Sequence, residues 1–226
     1  MHAISPIAAL LLLLSAGCDG STPASDSGPF DSEVPVTDAA PEDAGMDAGP
    51  DIVIDGGTSD VGPVCGDPGS PYGTSLGSSF LPFTMPTCGD VPFEFYGETE
   101  GFCDATFTVV SLAAGWCGPC RLEASLMQEY LVDGYAEHGV RVVVAVIQDN
   151  NLAEPTSEFC NRWVEQYELT NPVVYDTEGV TQIYFPDGSL PATLIVDSQG
   201  VIVHREYGVS DELVTVRATL DRLLGL

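Results

Sequence analysis

The chain has 226 residues, enough for one ordinary domain and additional segments, and 44 % of them are hydrophobic, so a substantial core can form. Acidic residues outnumber basic ones 34 to 6, for a net charge of −28, which disfavours binding to nucleic acid phosphates and anionic lipid headgroups. This acidity is typical of a solvated, extracytoplasmic surface, and less often of a protein with a cationic partner or bound divalent ions. The seven cysteines also suit an oxidising compartment, in which disulfides persist.

The chain opens with an apolar segment from Ile4 to Ala16 that contains five consecutive leucines. It is well short of the roughly 20 residues that a membrane-spanning helix needs, so it predicts a signal peptide. The next residues, Ser-Ala-Gly-Cys at 15–18, resemble the lipobox of bacterial lipoproteins, although Ser15 replaces the usual Leu and the first three residues include no Lys or Arg. The resemblance implies a signal peptide over residues 1–17 and a lipid on Cys18. The alternative is an ordinary signal peptide followed by an incidental cysteine.

Residues 18–64 are rich in Asp, Ala, Gly, Pro, Ser and Thr, and Phe30 is their only aromatic residue. Such a segment cannot bury enough apolar surface to offset its conformational entropy. It therefore predicts a disordered, acidic linker that holds the following domain away from a membrane. Its Asp-x-Gly strings could suggest calcium loops, but the EF-hand pattern with its closing Glu is absent.

The folded domain is predicted over residues 65–226, and it begins with a stretch rich in Gly, Pro and Ser, up to residue 89, that predicts mostly loop. Hydrophobic periodicity then predicts alternating strands and helices. The predicted strands are 91–96, 106–113, 140–148, 172–175, 192–196 and 201–207, and the predicted helices are 118–137, 155–169 and 210–224. This order indicates an α/β fold with a central mixed sheet, helices on both faces and an N-terminal strand/loop extension.

The motif Trp-Cys-Gly-Pro-Cys occupies positions 116–120, where a predicted buried strand ends and a helix begins. The first turn of a helix offers unpaired N–H groups and the positive end of the helix dipole, and both favour a thiolate over a thiol. Cys117 is therefore the predicted nucleophile, and Cys120, one turn further, is the predicted resolving residue.

A CxxC motif can also bind zinc or form a purely structural disulfide. A tetrahedral zinc site needs two further ligands, but there is no second CxxC and the three histidines, at positions 2, 138 and 204, are scattered. A structural disulfide across so short a loop would stabilise the fold little. We therefore expect no metal site, and thiol chemistry is the preferred interpretation.

The sequence around this motif, VVSLAAGWCGPCRLE at 109–123, resembles the active-site region of the thioredoxin superfamily. It is most similar to the extracytoplasmic TlpA/ResA-like redoxins, and the resemblance extends over roughly residues 81–226. It implies a thioredoxin-like fold whose first helix opens with the dithiol, and thiol–disulfide exchange that needs no cofactor. A peroxidase is disfavoured, because peroxiredoxins place Thr or Ser where this chain has Ala114.

The resemblance also implies a substrate-binding region. The segment that contains Leu190 and Pro191 precedes a predicted strand, as the cis-proline segment of the family does. Pro191 would then be in the cis form and face Cys117, and Leu190 would offer backbone groups to a bound substrate strand. Trp116 completes the predicted substrate-binding residues. The alternative is an ordinary trans proline at the start of a strand.

Glu123 lies three residues after Cys120, on the same helix face. TlpA-like proteins often have a Glu there that tunes thiol ionisation and transfers protons, and Glu123 is predicted to act as this proton relay. The alternative is a Glu stabilised only by the helix dipole. Ser111 occupies the position at which thioredoxins have a buried Asp, so Glu123 would replace that proton acceptor. The family's helix-kinking Pro is absent after Glu123, which predicts a straighter helix.

Four cysteines remain, at positions 65, 88, 103 and 160, and the sequence alone does not select among their three pairings. We prefer Cys88–Cys103, which closes the shortest loop around the predicted strand 91–96, and this leaves Cys65–Cys160. A buried free thiol at Cys160 is an alternative.

Together these features predict a lipid-anchored, extracytoplasmic thiol–disulfide oxidoreductase of the bacterial cell envelope, at the periplasmic face or the outer membrane. The Gly-Pro pair between the cysteines resembles that of thioredoxin, whose potential is near −270 mV, and this favours a reductase. Expected partners are proteins with exchangeable thiols or disulfides, an electron-donating redox protein and, through the lipid, a membrane, but not nucleic acid. The alternatives are a thiol oxidase or isomerase, and a binding module whose disulfide is structural.

Overall fold

The computed structural model describes residues 66–69, 71–97 and 101–226. The predicted signal peptide, the linker over 18–64, Cys18 and Cys65 lie outside the described residues. Within the described ranges, no helix combines the length and the apolar character that a membrane crossing requires.

The N-terminal extension contains a short antiparallel hairpin formed by β1 (Thr84–Pro86) and β2 (Pro92–Glu94). Strand β2 is shorter than the predicted strand 91–96, and β1 lies in the stretch predicted as mostly loop. Three residues that end in Pro are too few to show the period-two alternation by which a strand is recognised. The hairpin joins the rest of the domain through a bridge between Thr87 and Val174.

A five-stranded mixed sheet forms the centre of the domain, in the order β5-β4-β3-β6-β7. Its strands are β3 (Phe107–Ala114), β4 (Val140–Gln148), β5 (Val173–Tyr175), β6 (Ala192–Asp197) and β7 (Ile202–Tyr207). Strands β3, β4 and β5 are parallel, whereas β6 runs antiparallel to both β3 and β7. The nearly continuous β-branched run of β4 is typical of a strand that is buried on both faces.

The two faces of the sheet can be assigned from the strand register, because directly opposite residues on neighbouring strands point to the same face. Ser111, Thr193 and Glu206 form such a row across β3, β6 and β7, and this face carries helix α1 (Gly118–Met127). Arg205 and Tyr207 alternate with Glu206 and therefore point to the opposite face.

The opposite face is covered by the N-terminal extension and by a 3-10 helix, Val180–Tyr184. The Tyr207 hydroxyl donates to the Tyr184 carbonyl at 3.0 Å. The ring of Tyr184 stacks on Phe80, with ring centroids 4.7 Å apart. Phe95 and Phe102 contact Phe80 as well. Both faces therefore carry helical segments, as predicted, and the extension contributes an aromatic layer to the core.

Helix α1 ends earlier as an α-helix than the predicted helix 118–137 does. It continues as a π-helix over Gln128–Asp133, and a 3-10 turn follows over Ala136–His138. The Gln128 side chain, at the junction, hydrogen-bonds to the backbone N–H of Thr170 at 2.9 Å. This is a tertiary contact that helical periodicity in the sequence cannot reveal.

Helix α2 (Ser157–Tyr167) is capped by Thr156, whose hydroxyl accepts from the Phe159 N–H at 3.2 Å. Helix α3 (Val214–Leu224) begins later than predicted, because a 3-10 turn that ends in two left-handed residues separates it from Ser210. The Tyr135 hydroxyl donates to Asp221 at 2.6 Å and so joins the segment after α1 to α3.

Candidate active site

Cys117 and Cys120 are joined by a disulfide at the start of α1, with their Cα atoms 5.2 Å apart. Cys117 is the N-cap residue, and its sulfur accepts a hydrogen bond from the Cys120 N–H at 3.1 Å. Cys117 is 4 % exposed and Cys120 is fully buried. The geometry therefore matches the helix-start position expected for the motif, and Cys117 is the sulfur closer to solvent.

A tight turn carries the chain from β3 into the dithiol. The Gly115 N–H donates to the Gln148 carbonyl at 2.9 Å, and the Cys117 N–H donates to the Ala114 carbonyl at 3.1 Å. A methyl group at Gly115 would lie 2.5 Å from the Phe159 ring and 2.8 Å from the backbone nitrogen of Asn150. This position requires glycine because the chain passes so close to its neighbours.

Trp116 and the segment around Pro191 flank the turn. Trp116 is 40 % exposed, and its indole N–H donates to the Gln148 side chain at 2.9 Å. The Leu190–Pro191 peptide bond is cis, as expected from the family resemblance. Ala192 pairs with Leu112, so the register places Leu190 and Pro191 beside the end of β3, from which the dithiol turn emerges.

Glu123 is buried beneath the first turns of α1, with 2 % of its surface exposed. Its two carboxylate oxygens accept hydrogen bonds from Ser111 Oγ at 2.6 Å and from Thr193 Oγ1 at 2.7 Å. The carboxylate is thus bound to side chains of the sheet, and the dipole of its own helix is not its only interaction. Ser111, at the position of the thioredoxin Asp, is one of its two donors.

Burial raises the pKa of Glu123 to about 7, because the charged form is poorly solvated. The hydrogen bonds from Ser111 and Thr193 act in the opposite direction, and the charge of Glu206 adds to the rise. A carboxyl group with this pKa can both take up and release a proton near neutral pH.

Thr193 and Glu206 were not identified as site residues from the sequence. Thr193 follows Pro191 by two residues and so lies on the same strand face, but only the register of β6 on β3 brings it opposite Ser111. Glu206 enters the row through the pairing of β7 with β6, and His204 Nε2 lies 3.2 Å from its carboxylate. Sequence periodicity gives the face of each strand but not this register.

The preferred pairing of the remaining cysteines was wrong. Cys88 is bonded to Cys160, with Cα atoms 5.1 Å apart, and this excludes both Cys88–Cys103 and Cys65–Cys160. Cys103 is itself disulfide-bonded. The reason lies in the tertiary structure. Cys88 follows β1, and the sulfurs of Cys88 and Cys160 both lie close to the Val173 carbonyl of β5. The disulfide therefore joins residues 72 positions apart and does not close the shortest possible loop.

Among residues 66–69, 71–97 and 101–226, no group of three or more His, Cys, Asp or Glu side chains is arranged to hold a metal ion. The described site combines a dithiol with a buried carboxyl group and a cis-proline segment.

The chain belongs to the Redoxin family, whose profile matches residues 97–224. The thiol-disulfide oxidoreductase ResA of Oceanobacillus iheyensis is 30 % identical over 112 residues, which are 50 % of this chain and 50 % of that protein. The thiol:disulfide interchange protein DsbE of Pseudomonas aeruginosa is 26 % identical over 151 residues, 66 % of this chain and 75 % of that protein. This chain thus spans about half the length of the first of these relatives.

Among solved structures, the thioredoxin domain of a thiol-disulfide oxidoreductase from Bacteroides vulgatus is similar, with a TM-score of 0.52 and 16 % identity. The similarity covers 66 % of this chain and 98 % of that domain. It confirms the predicted thioredoxin-like α/β fold.

Proposed function

We propose that this protein is a thiol–disulfide oxidoreductase that exchanges the Cys117/Cys120 dithiol with disulfides in other proteins. The observation that carries the proposal is the position of this disulfide, at the N-terminus of α1 and one turn from the buried Glu123. The names of the relatives ResA and DsbE agree with this chemistry.

In the reducing direction, the Cys117 thiolate attacks one sulfur of a substrate disulfide. An S–S bond forms between Cys117 and the substrate, and the other substrate sulfur leaves as a thiolate. The Cys120 thiolate then attacks the Cys117 sulfur, which restores the Cys117–Cys120 disulfide and releases the second substrate thiolate. Two electrons pass to the substrate, and an electron-donating redox protein must reduce the disulfide again.

Cys120 must lose its thiol proton before it can attack, and Glu123 is the group proposed to receive that proton. It lies three residues further along α1, on the same helix face, and burial raises its pKa to about 7. Ser111 and Thr193 fix the carboxylate in one orientation. A carboxyl group with a pKa near the working pH is well suited to such transfer.

The proposed substrate groove lies between Trp116 and Leu190. Trp116 presents an exposed aromatic surface beside Cys117, and the backbone groups of Leu190 have no hydrogen-bond partner in the described part of the chain. An extended substrate segment can therefore bond to them as an added strand. Pro191 directs its own carbonyl toward the Gly208 N–H, at 2.8 Å, and so leaves Leu190 as the accessible part of this segment.

We further propose a reductase that is anchored to the bacterial cell envelope by a lipid on Cys18 and works outside the cytoplasm. The Cys88–Cys160 disulfide supports an oxidising compartment. The Gly-Pro pair in the motif supports the reducing direction, since thioredoxin is poised near −270 mV. Equilibration with glutathione gives the reduction potential of the Cys117–Cys120 pair and so tests the direction of electron flow. A potential near −120 mV contradicts the reductase proposal. The intact mass of protein isolated from membranes tests acylation at Cys18.

An insulin-reduction assay with dithiothreitol as electron donor tests the activity. The wild-type protein is expected to accelerate insulin precipitation, and Cys117→Ser is expected to abolish the acceleration. The matched control is the double variant Cys88→Ala/Cys160→Ala, which removes the other described disulfide and should retain activity wherever it remains folded. Acceleration that survives Cys117→Ser contradicts the proposed mechanism, and inactivity of the wild-type protein favours a binding module.

A further inference from the structure

A cavity on the α2 side of the dithiol adjoins the site described above without belonging to it. Its volume is about 250 Å³, and it is lined by residues of α1, α2 and the loop after β4. Phe159 and Asn150, two of its lining residues, are the groups that press against Gly115. The cavity therefore borders the turn that carries Cys117.

The lining of this cavity is basic in a strongly acidic protein. Arg121 and Arg162, two of only six basic residues in the chain, both contribute to it. Asn150 and Gln166 add amide groups, and no carboxylate of the described residues lines the cavity, although acids outnumber bases 34 to 6 in the chain. Two guanidinium groups together with side-chain amides are the donors that proteins use to bind carboxylates.

Arg121 is the more available of the two arginines. Its guanidinium is exposed and makes no hydrogen bond or ion pair with the residues that the structure describes. Burial raises the pKa of the Tyr167 phenol, and the positive charge of Arg121 opposes that rise, which places this charge near the cavity wall. Arg162 pairs with the exposed Glu158 on the same helix, and a guanidinium has donors for more than one acceptor.

The rest of the lining is aromatic. Trp163 lines the cavity beside Phe159 and Tyr167 and is 3 % exposed. Among the described residues, the two guanidinium groups are therefore the charged groups that a bound ligand would meet.

We propose that this cavity binds an acidic side chain of the substrate polypeptide, next to the disulfide that Cys117 attacks, and so selects substrates with Asp or Glu beside their cysteines. Arg121 lies four residues after Cys117 and thus on the same helix face, and the backbone N–H of Arg121 donates to the Cys117 carbonyl at 3.2 Å. A substrate held at Cys117 therefore has its neighbouring residues within reach of Arg121. The proposal rests on the thiol–disulfide exchange proposed above.

The total charge of the protein opposes the binding of an acidic substrate. The net charge of −28 repels an acidic substrate at long range. A preference for an acidic peptide therefore has to arise locally, from the two arginines of the cavity.

The test compares two synthetic peptides with one intramolecular disulfide each, which differ only in Glu or Gln beside one cysteine. We expect the reduced protein to react about five-fold faster with the Glu peptide, the effect of a charge pair worth about 1 kcal/mol. In the variant Arg121→Gln/Arg162→Gln the ratio of the two rates should fall to about one. Raising the ionic strength should also bring the wild-type ratio of the two rates closer to one, because salt screens the charge pair.

Arg217→Gln/Arg222→Gln is the matched control, because it removes the same number of positive charges from α3 and should keep the wild-type ratio. Equal rates for the two peptides in the wild-type protein overturn the cavity proposal and leave the exchange activity standing. A preference that persists in the double arginine variant also overturns it. If neither peptide is reduced, the proposed function fails and the cavity proposal fails with it.

Discussion

Ser111 on β3 and Thr193 on β6 lie directly opposite each other, and their hydroxyls donate to the two oxygens of the Glu123 carboxylate at 2.6 and 2.7 Å. The sheet thus holds a carboxyl group beneath the dithiol although it has no acidic residue at position 111. The helix supplies the acid and the two strands supply its donors. Under the proposed function, this arrangement lets Glu123 serve as the proton acceptor although position 111 is Ser.

The stability of the protein should fall as the pH rises through the pKa of Glu123. Its pKa is about 7 in the folded protein against an ordinary value of 4.5, so the folded state binds the proton more tightly than the unfolded state. The stabilisation is complete below the unfolded pKa and is lost as the pH rises through about 7. In Glu123→Gln, the free energy of unfolding should lose about 3 kcal/mol of this pH dependence. Urea unfolding at pH values from below 4.5 to above 7 measures the difference.

The comparison with Glu123→Gln is necessary because general repulsion among the many acidic groups also grows with pH. That contribution is shared by the two proteins and cancels in the difference. Parallel stability curves for wild type and Glu123→Gln would show that the carboxyl group is not held in an unfavourable environment.

Removal of either hydroxyl donor should raise the pKa of Glu123 further. Both hydrogen bonds favour the charged carboxylate, and a hydrogen bond to a charged group is worth about 1.5–3 kcal/mol. Ser111→Ala and Thr193→Val should therefore each shift the pKa upward by about one unit or more. The shift is measured from the pH profile of the reaction of the dithiol with a peptide disulfide, or from the carboxyl carbon resonance.

Thr108→Val is the matched control for these two variants. Thr108 also lies on β3, but it points to the opposite face, and its buried hydroxyl has no partner among the described residues. Its loss should leave the pH profile unchanged and stability unchanged or slightly higher, because no hydrogen bond is broken. The same profile shift in all three variants would mean that general damage to β3, and not the two donors, controls Glu123.

The sequence was sufficient for the elements that depend on local pattern. The β-branched run of β4 and the start of α1 at the Cys-Gly-Pro-Cys motif are both visible in it, and the family resemblance correctly implied the cis bond before Pro191. It was insufficient wherever register or tertiary packing decides. Thr193 became part of the site through strand pairing, and Cys88 met Cys160 because the N-terminal hairpin packs against β5.

The Cys88–Cys160 disulfide should contribute strongly to stability. It closes a separation of 72 residues, and the chain-entropy relation for a loop of that length gives about 4 kcal/mol. Cys88→Ala/Cys160→Ala should lower the free energy of unfolding by about this amount. The Cys117→Ala/Cys120→Ala variant removes a disulfide that closes a loop of only a few residues. Its free energy of unfolding should therefore fall by about 2 kcal/mol or less relative to the oxidised wild-type protein. A peptide that crosslinks Cys88 to Cys103 in a non-reducing digest would contradict the pairing.

Gly115 should tolerate no side chain. A methyl group there would lie 2.5 Å from the Phe159 ring, and overpacking of a buried position costs about 1–3 kcal/mol. Gly115→Ala should therefore reduce thermal stability and displace the turn that holds Cys117. Gly118→Ala is the control for stability, since a methyl group at Gly118 meets no atom within 4 Å. Equal melting temperatures for the two variants would show that the contact with Phe159 is not constraining.

The central claim is that Cys117 is the attacking sulfur, and covalent trapping with a peptide disulfide tests it most directly. In Cys120→Ala, the reduced protein should accumulate a mixed disulfide at Cys117, because the resolving thiol is absent. In Cys117→Ala, the fully buried Cys120 should form almost none. Mass mapping of the adduct distinguishes the two sulfurs. An adduct on Cys120 at a comparable rate, or no adduct in either variant, would contradict the account.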